Sequence, residues 1–65
     1  MMTGTIRRVD PQGYGFVVGS DGLRRFFTAT EVRDVPFDTL CVGTAVRFQP
    51  LHHVKGPRAL NVRLV

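Results

Sequence analysis

Tyr14 and Phe16, with Phe26 or Phe27 beyond a turn, are the residues of this 65-residue chain whose types and spacing suit one chemistry: stacking on the flat faces of unpaired bases. Tyr14 and Phe16 stand two apart, so on a strand both rings project from one face while Gly15 and Val17 point to the other. Ser20-Asp21-Gly22 reads as a turn, and a hairpin through it returns Phe26-Phe27-Thr28 beside the first two rings. One of the two phenylalanines must then face the core. Rings gathered on an outer face forgo burial, which is a poor use of them for folding alone but what base stacking requires. The competing use is to fill a core, where aromatic side chains are far commoner than on exposed platforms.

Other chemistries find no matching residues. Cys41, His52 and His53 are the soft ligands, and they lack the spacing of a four-ligand metal site; adjacent histidines on a strand point opposite ways. No Ser or Cys sits with a recognisable base, and no carboxylate pair stands out. Gly13, Gly15 and Gly19 lie in a strand context with no helix after them, unlike a phosphate-cradling loop. The chain is therefore expected to be no enzyme and to need no cofactor or metal.

Nine Lys and Arg against five Asp and Glu give a net charge of +4 and a pI near 10.7. That balance favours an anionic partner and puts nucleic acid ahead of an acidic protein. Eight of the nine cations are arginines, which stack as well as carry charge, although genomic base composition would produce the same bias. A single cysteine leaves no internal disulfide and fits a reducing compartment. No apolar run approaches the roughly 20 residues of a membrane span, and the first residues lack a signal-peptide core, so the cytoplasm is the expected location.

Short strands must position the rings. The pattern predicts strands over Thr3 to Val9, Tyr14 to Val18 and Leu23 to Thr28, joined by turns at Asp10-Pro11-Gln12-Gly13 and Ser20-Asp21-Gly22. Ala29 to Val42 reads as a long connection with at most one helical turn near Thr30 to Arg33. Thr44 to Leu51 alternates cleanly, His52 to Pro57 reads as a loop, and Ala59 to Leu64 is the last strand. Five strands without a long helix or a repeat imply one all-β domain over residues 1–65: a small five-stranded antiparallel barrel such as an OB-fold. An SH3-like barrel would satisfy the same pattern. So short a chain buries only about 60% of its unfolded surface and has a thin core.

At these residues the chain resembles the cold-shock domain, a five-stranded barrel that binds single-stranded RNA and DNA. Gly13-Tyr14-Gly15-Phe16-Val17 is similar to that family's first ribonucleoprotein motif, and Phe26-Phe27-Thr28 to its second. Gly4-Thr5-Ile6 resembles the family's opening segment, and Lys55-Gly56-Pro57-Arg58-Ala59-Leu60-Asn61-Val62 its closing one. The resemblance implies that Tyr14, Phe16 and Phe26 stack bases, leaving Val17 to join Ile6, Phe27, Val46 and Phe48 in the core. It places Phe37 where the family often has a further aromatic in the long loop, the other use of that residue being a plug that closes the barrel. Lys55 takes the place of a cation near the nucleic-acid backbone, or is a solvated charge.

The chain departs from the family pattern at the ring-bearing end. Arg8 stands for a tryptophan, Gln12 for a lysine, Thr28 for a histidine, and Arg24 and Arg25 for an acidic and a small apolar residue. Arg25 either replaces the charge lost at Gln12 or marks a hairpin edge. The resulting expectation is a monomeric domain that holds single-stranded RNA or DNA with low sequence preference, stacking bases on its rings. Its contact residues would be Arg7, Arg8, Tyr14, Phe16, Arg25, Phe26, Thr28, Phe37 and Lys55, with Arg7, Arg8, Arg25 and Lys55 following the phosphates. No membrane partner is expected, and a strand-exchanged dimer is the alternative to the monomer. The alternative function is a protein-interaction or self-associating barrel that has lost nucleic-acid affinity along with the Trp, Lys and His equivalents.

Overall fold

The computed structural model describes residues 1–65. Its strands are β1 (Met2–Asp10), β2 (Tyr14–Gly19), β3 (Arg24–Thr28), β4 (Ala45–His53) and β5 (Gly56–Leu64), with short 3-10 turns at Ala29–Glu31 and Phe37–Thr39. They close a barrel in the order β1-β2-β3-β5-β4. Every ladder is antiparallel except the closing one, where β3 meets β5 in parallel at Phe26 and Arg58. The all-β, five-stranded OB-type barrel expected from the sequence is the fold observed.

Alternation fills the barrel. Ile6, Val17, Phe27, Val46 and Phe48 all point inward and are buried, joined by Leu40, Ala59 and Val62. Gly15 lies opposite Phe27, and a β-carbon on it would stand 2.8 Å from the Phe27 ring and 2.5 Å from the Arg8 carbonyl oxygen. Only glycine leaves room there, so the Phe27 ring packs over bare backbone.

Two bulges correct the simple period. On β1, Ile6 faces Val17 while Arg8 faces Phe16, so Arg7 is an extra residue. That insertion turns Arg8 outward, where strict alternation from Ile6 would have sent it into the core. On β5 one extra residue lies between the Arg47–Arg63 and Gln49–Leu60 pairs. Asn61 takes the strain with φ of 50°, a left-handed conformation that Asn tolerates better than most residues. Its N–H donates to Glu31 at 3.1 Å, tying β5 to the long connection.

The connection crosses one end of the barrel. Val32 bridges Val62, Arg33 N–H donates to the Val62 carbonyl at 2.8 Å, and Leu40 is buried beneath. The expected loop over residues 52–57 is instead the tip of a long ribbon: β4 runs to His53, and only Val54 and Lys55 turn the chain. Pro50 is tolerated within β4 because β1 pairs only with Ala45 to Phe48, leaving an edge beyond them.

Arg25 is the one charged residue of the interior. It follows the inward parity of Phe27, is 6% exposed, and lies with its guanidinium 5.5 Å from the Phe48 ring centroid. Both terminal nitrogens donate to Asp21, at 2.9 and 2.6 Å, and one also approaches the Met2 sulfur at 3.4 Å. The pair is bidentate and satisfies the buried charge. Donation from Arg25, helped by the Leu23 N–H, holds the Asp21 carboxyl down to about 2.

Two outcomes follow from this packing. Phe27→Ala should lower the unfolding free energy by about 3–5 kcal/mol, the usual loss for a buried Phe, and thermal or denaturant unfolding reads it directly. Asp21 titrates lower in the folded chain than its ordinary 3.8, so its contribution is complete above that value and is lost as pH falls toward about 2. Asp21→Asn should therefore melt below the wild type at pH 7, and the two melting curves should converge between pH 4 and 2. A gap that stays constant with pH would show that the ion pair is not what the substitution removes.

Candidate nucleic-acid interface

The outward parity of β2 and β3 assembles the rings. Phe16 lies directly opposite Phe26, and Tyr14 opposite Thr28. Tyr14 and Phe26 are offset-stacked with centroids 5.8 Å apart, while Phe16 meets Phe26 edge-on at 5.7 Å and Tyr14 at 6.3 Å. All three are half-buried, supported by one another and absent from the core cluster. The second motif is thus split as expected, Phe26 outward and Phe27 inward.

Register extends the rings into a transverse row. Arg8 on β1 pairs with Phe16 on β2, Phe16 with Phe26 on β3, and Phe26 with Arg58 on β5. The row reads cation, ring, ring, cation across four strands. The guanidinium of Arg8 lies 5.6 Å from the Tyr14 centroid, that of Arg24 4.1 Å from Phe16, and that of Arg58 5.2 Å from Phe26. Each ring of the triad therefore has its own arginine.

The acidic residues decide which cations are free. Arg8 donates to Asp10 at 2.9 Å and reaches the Tyr14 hydroxyl at 3.5 Å. Asp10 is held below its usual range, chiefly by the Gln12 N–H donating at 2.9 Å. Arg25, Arg33 and Arg63 pair with Asp21, Glu31 and Asp34. Arg7, Arg24, Arg47, Lys55 and Arg58 have no carboxylate partner. Lys55 and Arg58, with Gly56 and Pro57, line a cleft whose other wall is Phe16 and Phe26.

Of the residues singled out from the sequence, Tyr14, Phe16, Phe26, Thr28, Arg8 and Lys55 come together on or beside this face. Thr28 sits next to Tyr14, its hydroxyl 2.7 Å from that of Thr30. Arg7 is exposed but lines a separate hollow with Thr3, Thr5, Val18 and Ser20. Phe37 serves as the plug: it packs against the core and meets Phe27 edge-on at 6.2 Å. Arg25 is a correction, because its inward parity and its grip on Asp21 keep it from the ring face. Its neighbour Arg24 takes that place. Arg24 and Arg58 were not singled out, yet alternation already carried the signal, since a strand with Phe26 outward puts Arg24 outward, and one with Ala59 inward puts Arg58 outward.

A family profile described as the 'Cold-shock' DNA-binding domain matches residues 2–65. A protein named "Cold shock-like protein" from Aquifex aeolicus (strain VF5) is 38% identical over 55 residues, covering 83% of this chain and 79% of that protein. The cold-shock domain is a nucleic-acid-binding domain, and the cluster of outward rings on β2 and β3 accords with that. With a profile match along almost the whole length and a relative this similar, the chain belongs to the cold-shock domain family.

Proposed function

We propose that this domain binds single-stranded RNA or DNA with low sequence preference, stacking bases on Tyr14, Phe16 and Phe26. The observation that carries the reading is the half-buried triad on the outer sheet face, bordered by the unpaired cations Arg24, Lys55 and Arg58. Rings supply sequence-tolerant contacts because every base has a π-face, and cations follow the backbone. By binding the unpaired state the domain would draw weak duplexes open by mass action, as a nucleic-acid chaperone working in the cytoplasm without turnover. Arg8, with Thr28 at its side of the face, completes the contact surface.

Titration with a labelled single-stranded oligonucleotide and its duplex tests this reading. The single strand should bind clearly better, since paired bases offer no free faces to the rings. Phe16→Ala should weaken single-strand binding by about 1–3 kcal/mol, the usual worth of one stacked base, with little change in melting temperature. Equal affinity for duplex would end the stacking mechanism, and gel filtration of a protein that ignores both strands would then test the self-associating alternative.

Salt reports on the cations. Each neutralised phosphate on a single strand contributes about −0.7 to the slope of log affinity against log salt. Arg24, Lys55 and Arg58, with or without Arg8, should give a slope of about −2 to −3. A flat response would leave the rings alone responsible for binding.

A further inference from the structure

We infer that the arginines covering the ring triad bias the domain toward guanine, with Arg24 and Arg58 reading guanine edges beside Phe16 and Phe26. The inference rests on the stacking reading above and adds to it a base preference that the rings alone would not give.

A bare aromatic face accepts any base. This face is not bare: a guanidinium lies 4.1 Å from the Phe16 centroid and another 5.2 Å from that of Phe26. Neither Arg24 nor Arg58 has a carboxylate partner. A base arriving at Phe16 takes the place of the Arg24 guanidinium against the ring. The side chain cannot go far, because Arg24 is fixed on β3 opposite Val18, one outward position along β2 from Phe16. The displaced fork therefore meets the rim of the base it made way for. Arg58 stands directly across the closing ladder from Phe26.

A guanidinium has five N–H donors and no acceptor, so it favours an edge carrying two adjacent acceptors. Guanine offers such an edge in O6 and N7. Adenine sets an amino donor beside N7, and thymine presents O4 with only a methyl group and a ring N–H beside it. Unpaired cytosine has adjacent acceptors in N3 and O2, but its single ring covers less of Phe16 or Phe26. Guanine therefore ranks first. The Tyr14 subsite is different, because Arg8 is already committed to Asp10 at 2.9 Å and reads nothing strongly.

The test uses four single-stranded dodecamers in a lithium buffer that disfavours quadruplexes: all thymine, and thymine with every third base replaced by guanine, 7-deazaguanine or adenine. Fluorescence titration should show the guanine strand binding about tenfold tighter than the thymine strand, within the range usual for a bidentate guanine contact. Removing the N7 acceptor in 7-deazaguanine should return affinity to the adenine level. The double variant Arg24→Met, Arg58→Met keeps two long side chains but carries no N–H donor, so it should flatten the differences among the strands. Guanine and thymine strands of equal affinity would overturn the inference, as would an adenine or 7-deazaguanine strand that binds as well as guanine. If single strands bind better than duplex but all alike, only the inference fails; if none binds better than duplex, the stacking reading fails with it.

Discussion

The Phe27 ring packs where a β-carbon on Gly15 would stand, and that fit binds the two faces of the β2–β3 hairpin to one another. With Gly15 opposite Phe27, Phe16 must lie opposite Phe26 and Tyr14 opposite Thr28. A slip of one residue would put Phe27 outside and Phe26 inside, and turn Arg25 away from Asp21. The outer triad therefore inherits its position from an inner contact. Stability and the proposed binding surface share one register, while the side chains serving them point in opposite directions.

Charge is partitioned by a similar logic. Asp10, Asp21, Glu31 and Asp34 each hold an arginine, and three of these links secure turns or the long connection. What remains is a set of unpartnered cations, of which Arg24, Lys55 and Arg58 border the rings while Arg7 and Arg47 lie elsewhere. The net positive charge of the chain is thus not spread evenly over its surface. The acidic residues take up the arginines needed for architecture and leave the others able to respond to an anion.

Much of this was legible in the sequence. Five strands, the inward set Ile6, Val17, Phe27, Val46 and Phe48, and the ring triad all followed from period-two alternation and the family resemblance. Arg25 departs from the expectation because an arginine is not expected inside a barrel, although Phe27 two positions on fixes its parity; the Asp21 carboxylate that makes this tolerable comes from the preceding turn, which no local pattern connects to it. The bulge at Arg7 was equally hidden, since an inserted residue has no composition of its own, and it alone explains how Ile6 can face inward and Arg8 outward. The β4–β5 tip resembled a loop because histidines and Gly-Pro mark turns, whereas the register continues through Pro57 to Gly56. Arg24 and Arg58 needed only the parity argument carried one residue further.

The parallel contact between Phe26 and Arg58 has a kinetic side. The β1–β2–β3 meander and the β4–β5 ribbon are each built from neighbours in sequence, so either can form early by local zipping. The barrel cannot close until the ribbon docks on both edges of the meander, with Met2 meeting Phe48 on one side and Phe26 meeting Arg58 on the other. Docking carries the loop-closure entropy of the long connection, so it is expected to be slower than the local zipping of either part. On a ribosome the meander would emerge first, with its rings formed and its inner face still uncovered, and would wait for the last strand to seal it.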